Sequence, residues 1–512
     1  MKRRLLTNSF SNVSMMLLKL AVTFIMSPVI VRALGKYDYG IWEIVMSVVG
    51  YMGLLQFGLT PSIIRFVAKY NAEGNHDELD RLYSTSLLFM IGLSLVSFLC
   101  FTLWAFGCPE LISQPGDSPK KYTIFILIIG IQSVTVFIGA VFQSFLHGYQ
   151  RYGLTNVITA INTVVGSIAA YIVLSRGYGL LALAIFNSAG FSIKVCIYGL
   201  LLSRPRFGGH RFQLKCLSKQ TFKPIFGFGL KSFVLGIASR LSKSTDSVVI
   251  GVFLGPAVVT LYVIPVNFVR NAVNMISVIT QNFMPVFSDL SARGEHAQLR
   301  TYFLVASRYV TAIAVLMMLG IWYLGPGFIA TWMGPEFSEK GRTVLYIILI
   351  AHMLPYLNPF HGRVLTGVNR HGVLAKIRTV EAICNITLSI GLVTVFDKEG
   401  VAVATLIPAL IAEPFILVSV CKHLDLRVTD CIRMVHLPLL VPSLGALGSL
   451  HWLTIQVHMN SYFNIIFGAV TTSFVFLFLF ALFSMEKKER AFIRQTLKDR
   501  LMGARTAAKQ LL

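Results

Sequence analysis

The chain has 512 residues, 55% of them hydrophobic and only 13% charged, with a net charge of +23 from 45 Lys and Arg against 22 Asp and Glu. A soluble domain carries about 25% charged residues, so this composition excludes an ordinary water-soluble enzyme and points to a polytopic membrane protein. The basic excess belongs in loops beside a membrane rather than on a nucleic-acid surface, and no nucleic-acid partner is expected.

The opening "MKRR" and the apolar run behind it resemble a signal peptide. Lys19 interrupts that run, no small-residue cleavage site follows, and the run extends to Val31, so an uncleaved first helix is expected. Apolar runs long enough to cross about 30 Å of hydrocarbon then fall at 8–31, 40–66, 82–106, 121–146, 154–175 and 179–202. The linker at 203–224 carries six Lys and Arg and no acid. A second set of runs lies at 225–254, 258–285, 303–325, 341–360, 373–395 and 400–422, and a last pair at 435–455 and 462–484. This predicts an all-α polytopic membrane protein with about 14 transmembrane helices.

Five segments follow: a six-helix lobe (1–202), a basic linker (203–224), a second six-helix lobe (225–422), an extra helix pair (423–484) and a basic tail (485–512). In the tail, Ile493, Leu497 and Leu501 repeat at helical spacing, which suits either an amphipathic helix on an anionic leaflet or a frayed, solvated end. With the N-terminus in the cytoplasm, the inner segments hold about 30 Lys and Arg and the outer loops about seven, so both termini and the linker are placed inside. The seven Cys show neither CxxC nor metal spacing, so no disulfide framework, metal or other cofactor is expected.

The chain repeats itself. "FLHGYQRYG" at Phe145–Gly153 and "VLTGVNRHG" at Val364–Gly372 share the form x-Leu-x-Gly-x-x-Arg-x-Gly. Leu34-Gly35 recurs as Leu254-Gly255, and "AEGNHDEL" from Ala72 as "ARGEHAQL" from Ala292. All three offsets are about 220, so two lobes of six helices with the same membrane orientation are expected, arranged for alternating access around a central cavity. Within the motif the glycines suit tight turns. Arg151 and Arg370 suit a lipid phosphate or a helix cap; a plain turn with a membrane anchor is the simpler reading.

Three longer stretches carry a family resemblance. "LGKYDYGIWEIVMSVVGYMGLLQFGL", "IIRFVAKYNAEGNHDELDRLYSTS" and "SRLSKSTDSVVIGVFLGPAVVTLYVIPVN" resemble the polysaccharide flippases of the multidrug/oligosaccharidyl-lipid/polysaccharide transporter superfamily. The likeness covers roughly 1–425. It implies a V-shaped, MATE-like pair of bundles in the bacterial cytoplasmic (inner) membrane. It also implies flipping of polyprenyl-diphosphate-linked glycans to the outer leaflet, with membrane lipids and other polysaccharide-assembly membrane proteins as partners.

Ionisable residues inside spans are costly and therefore informative. Lys19, Arg240, Lys243 and Arg270 fall near mid-membrane with one nearby acid, Asp246. Four cations against one acid suit a diphosphate cargo; the alternative is a structural ion pair of Asp246 with Lys243 or Arg270. Lys194 and Arg308 lie nearer the inner interface, where long side chains snorkel, and no substrate role is expected of them. Glu413, followed by Pro414, and Glu381 are candidates for proton or sodium coupling, with packing roles equally open. The membrane potential by itself also favours outward movement of an anion. Two other transporters stay open: a lipid-linked peptidoglycan-precursor flippase and a drug or metabolite antiporter of the same superfamily. A membrane polymerase or ligase is disfavoured by the short outer loops, so no enzyme is expected.

Overall fold

The computed structural model describes residues 2–107, 118–281, 283–367, 371–457, 459–486 and 489–491, with backbone only for 2–13, 231–232, 234–244, 367 and 371. These residues form helices and connecting turns, and no strand occurs among them. In hydrocarbon a backbone must satisfy its own hydrogen bonds, and a helix does so within one segment.

In chain order the helices are α1 (Lys2–Met52), α2 (Leu59–Glu73), α3 (His76–Gly107), α4 (Pro119–Gly148), α5 (Tyr152–Ser175), α6 (Gly179–Leu202), α7 (Lys219–Leu254) and α8 (Pro256–Gln281). Then come α9 (Met284–Ala292), α10 (His296–Trp332), α11 (Pro335–Met353), α12 (His361–Gly367), α13 (His371–His423), α14 (Val428–Cys431), α15 (Leu440–Gln456) and α16 (Tyr462–Leu479). Among the described residues, ten stretches are long and apolar enough to cross a membrane. Val157, Ile161, Val165, Ile168 and Ile172 all lie exposed along α5. Water does not tolerate so long an apolar face on a monomer, whereas lipid does.

Several expected spans differ in detail. α1 contains two helices bent at Gly35 (φ 75°, ψ 170°). The span expected at 40–66 is interrupted where Phe57 and Gly58 both turn left-handed, at φ 48° and φ 67°. The span expected at 341–360 stops at Met353, because Pro355 and Pro359 cannot continue a helical ladder. α13 runs through two expected spans and bends at Phe396 and Asp397. Gly255, between α7 and α8, has φ 88° and ψ 164°, nearly the conformation of Gly35. Only glycine enters that region readily, and the two glycines stand at the repeat offset.

By packing, the chain divides into two compact units: 1–267 with 375–408, and 268–374 with 409–512. In the first, Leu59, Ile63 and Val67 of α2 pack with Leu82 of α3, Phe137 and Phe145 of α4 and Ile225 of α7. A second cluster joins Ile41 and Val45 of α1 to Phe101, Phe125 and Ala184. The Ser62 hydroxyl donates to the Ile225 carbonyl at 2.7 Å, so α2 and α7 share a polar bond inside this core. In the second unit, α15 and α16 pack on α10 through Ala446, Phe476 and Ala312 and through Leu450, Leu453, Ile465 and Leu324. The extra helix pair is thus an integral part of that unit.

Candidate substrate and coupling sites

Lys19 is exposed on α1, within electrostatic reach of Lys194 on α6. The Lys194 ammonium sits 3.9 Å from the centre of the Phe191 ring. The sequence gives Lys194 a place at the inner interface and no substrate role; the structure brings it toward Lys19. Arg240 and Lys243 fall on α7, and their side chains lie outside the described residues.

Asp246 begins the well-packed part of α7, where Thr245, Asp246 and Ser247 are all buried. Its described partner is a residue that the charge pattern does not single out: the Tyr262 hydroxyl of α8 donates to Asp246 Oδ2 at 2.7 Å. The Tyr51 hydroxyl donates to the neighbouring Thr245 Oγ1, also at 2.7 Å. Arg270 is half-buried on α8. Among the described residues its buried Nε has no hydrogen-bond partner. A buried guanidinium N–H left unmatched by protein is a ready donor for an anionic ligand.

The two candidate coupling acids are both engaged. Glu381 accepts from Arg378 Nη1 at 2.7 Å, one turn away on α13. Glu413 lies 2.9 Å from His361 Nε2, both side chains buried. Sequence reasoning misses His361, although the "LPYLNP" break just before it is the available signal. Arg308, expected to snorkel to the inner interface, is instead buried and paired with Glu489. The first residues of the tail therefore dock on α10; 492–512, with the expected Ile493, Leu497 and Leu501 stripe, lie outside the described residues.

The first copy of the repeated motif forms the expected turn between α4 and α5, but its glycine serves packing. At its first copy the left-handed residue is Gln150 (φ 58°), not a glycine. A Cβ on Gly148 would sit 2.5 Å from Val67 Cγ1, so that glycine allows α4 to close on α2. Arg151 occupies the cap position of α5 without a side-chain capping bond, and its guanidinium lies 5.7 Å from the Phe207 ring in the linker. In the second copy, Arg370 lies outside the described residues.

His210 ties the linker down. It is buried and stacked on Tyr83, its Nδ1 2.6 Å from Asp80 and its Nε2 2.6 Å from the Tyr149 hydroxyl. The Asp80 carboxylate accepts, so Nδ1–H donates to it, and Nε2 is bonded to the Tyr149 hydroxyl. Burial, aided by the Asp80 charge, raises the Tyr149 pKa above its ordinary value.

Known proteins share both sequence and fold with this chain. It is 21% identical over 380 residues to a putative O-antigen transporter of Shigella flexneri, covering 73% of this chain and 87% of that protein. Its fold resembles a lipid II flippase, MurJ, in an inward closed conformation, with a TM-score of 0.73 at 15% identity over 93% of this chain and 98% of that one. It also resembles a multidrug resistance MATE family transporter in an inward-facing conformation, with a TM-score of 0.67 at 12% identity over 81% and 99%. The sequence profile of a polysaccharide biosynthesis protein family matches residues 5–291, from the first helix through α9. With more than half of its length inside that match, on a multi-pass helical membrane fold, the chain belongs to the polysaccharide biosynthesis protein family.

Proposed function

We propose that this protein is a flippase. It moves polyprenyl-diphosphate-linked oligosaccharide units from the inner to the outer leaflet of the bacterial cytoplasmic membrane by alternating access, with both termini in the cytoplasm. The observation that carries this reading is the family match together with the likeness to an O-antigen transporter over most of both chains. Two six-helix lobes and an extra helix pair, about 14 spans in all, are part of the proposal; the shared backbone conformation of Gly35 and Gly255 supports the two lobes. Lys19, Arg240, Lys243 and Arg270 meet the diphosphate, while the lipid tail stays in the bilayer. The buried, unmatched Nε of Arg270 supports that role, because a diphosphate oxygen supplies the missing acceptor. No covalent step is required of the protein.

The test is chemical analysis of the lipid-linked intermediates that accumulate when the gene is deleted. A polyprenyl-diphosphate oligosaccharide is expected on the inner leaflet. Accumulation of the peptidoglycan precursor, or of no lipid-linked sugar at all, overturns the reading.

A further inference from the structure

α13 ends in a closed turn that brings two cysteines together. Asp425 is left-handed (φ 52°), and the Leu426 N–H returns to the Cys421 carbonyl at 2.8 Å. A bond of this kind across a left-handed residue ends a helix and reverses the chain. Arg427 then leads into α14, its N–H donating to Asp430 Oδ2 at 3.0 Å. Arg300 of α10 donates to Asp425 Oδ2 at 2.9 Å and pins the turn. The backbone thus sets Cys431, the last residue of α14, against Cys421 in the last turn of α13. Their sulfurs are 3.6 Å apart, and both side chains are buried. A spacing of ten residues carries no cysteine motif, so only the folded turn reveals the pair.

The joint has a wider place in its packing unit. After α14 the chain makes a π turn over Ile432–His436 and passes on to the extra helix pair. His436 Nδ1 lies 3.2 Å from the Cys431 carbonyl, and its Nε2 lies 3.1 Å from the Leu357 carbonyl at the break after α11. Cys431 therefore sits where α13, the extra pair and that break are tied together.

Two thiols in contact can be joined. A disulfide needs a sulfur separation of about 2.05 Å, so the pair has to close by about 1.5 Å. The chemistry needs an oxidant, and a peroxide supplies it. One thiol loses its proton, and the thiolate attacks a peroxide oxygen. A sulfur–oxygen bond forms, the oxygen–oxygen bond breaks, and the departing hydroxide takes up the proton as water. The second thiol then attacks that sulfur: the disulfide forms, and the sulfenic oxygen leaves as a second water with the second proton. In all, the two sulfurs lose two electrons and two protons, and one peroxide becomes two waters. Burial slows the first step, because apolar surroundings disfavour the thiolate. A one-turn helix has little stability of its own, so α14 opens at lower cost than the long helices around it and admits a small oxidant.

We propose that Cys421 and Cys431 form an oxidisable dithiol, a modification site for peroxides, and that its disulfide fixes the joint between α13 and the extra helix pair. On the proposed orientation this joint faces the cytoplasm, whose thiol pool keeps the pair reduced, so closure is an oxidative event and not a standing crosslink. The dithiol stands on its own geometry; its effect on transport rests on the flippase reading.

Two measurements test it. The first needs no substrate. A full-length variant that keeps Cys421 and Cys431, with the remaining cysteines replaced by Ser, is treated with hydrogen peroxide in lipid nanodiscs. It is then denatured in N-ethylmaleimide, digested and read by mass spectrometry without reductant. The Cys421 and Cys431 peptides are expected to be joined, to separate on adding dithiothreitol, and to stay apart in Cys421→Ser and Cys431→Ser. The oxidised protein is also expected to unfold at a higher temperature than the reduced one. Cys421→Ala and Cys431→Ala serve where a Ser variant does not fold. Recovery of both cysteines as maleimide adducts, or as separate sulfinic acids, at a peroxide dose that oxidises Cys216 in wild type overturns the site.

The second is glycan export in cells after a peroxide pulse. Wild type is expected to lose export and to recover it with a permeant reductant, while Cys421→Ser and Cys431→Ser keep exporting. Equal inhibition of wild type and both variants overturns the effect on transport. A deletion strain that accumulates no lipid-linked glycan removes the flippase reading but leaves the mass-spectrometric result standing.

Discussion

Tyr262 and Asp246 meet at 2.7 Å, hydroxyl to carboxylate, and both are buried inside one packing unit. α7 and α8 are joined there by a charge-assisted hydrogen bond. Such a bond stabilises a fold by about 1.5–3 kcal/mol.

Tyr262→Phe is accordingly expected to destabilise the protein by about 1–3 kcal/mol while leaving it inserted. Thermal unfolding in detergent, followed by fluorescence, reads this directly. Tyr262→Phe and Asp246→Asn together should cost less than the sum of their separate costs, because both remove the same bond. An unfolding midpoint equal to wild type in Tyr262→Phe means that the bond does not hold the two helices.

Arg270→Ala should abolish glycan export at normal expression and normal unfolding temperature. Arg270→Lys should retain part of the activity, because the charge survives while the forked donor geometry is lost. Full export by Arg270→Ala, measured as surface glycan per folded protein, removes Arg270 from the site.

Gly148→Leu places a side chain on Val67, 2.5 Å from the new Cβ, and overpacking of this kind costs about 1–3 kcal/mol or more. Gly153→Leu, with nothing within 4 Å of its Cβ, should be close to neutral. Val67→Ala should partly rescue Gly148→Leu. Equal unfolding temperatures for the two glycine variants contradict the packing role of Gly148.

Orientation is read by cysteine labelling in a background free of native cysteines. Lys340 and Lys215 are exposed, whereas Ser338 is buried with its hydroxyl on the Pro326 carbonyl. Lys340→Cys should react with an impermeant maleimide on intact cells, and Lys215→Cys only after permeabilisation. The reverse pattern inverts the protein in the membrane, and the proposed direction of transport with it.

How much of this is legible in one dimension follows from how each feature is encoded. A bilayer tests every residue against the same apolar solvent, so an apolar run is written locally and the helices can be read directly from the chain. The bend at Gly35 and the turn at Gly255 are visible as a repeated Leu-Gly. The break after Met353 is visible in Pro355 and Pro359, and Asp246, Glu413 and Arg270 stand out as charges in apolar runs. The partners of those charges are not visible. Tyr262 looks like one more aromatic in a span, His361 follows the break without any pattern of its own, and Glu489 sits in what reads as a solvated basic tail. Whether two side chains meet depends on the rotation and axial register of two helices. Both follow from the packing of all their neighbours at once, as in the closure of α4 on α2 over Gly148. The sequence by itself determined that this chain lives in a membrane and which charges had to be accounted for. Tertiary packing decided which group answers each charge, because that choice depends on distances of a few ångströms between residues far apart along the chain.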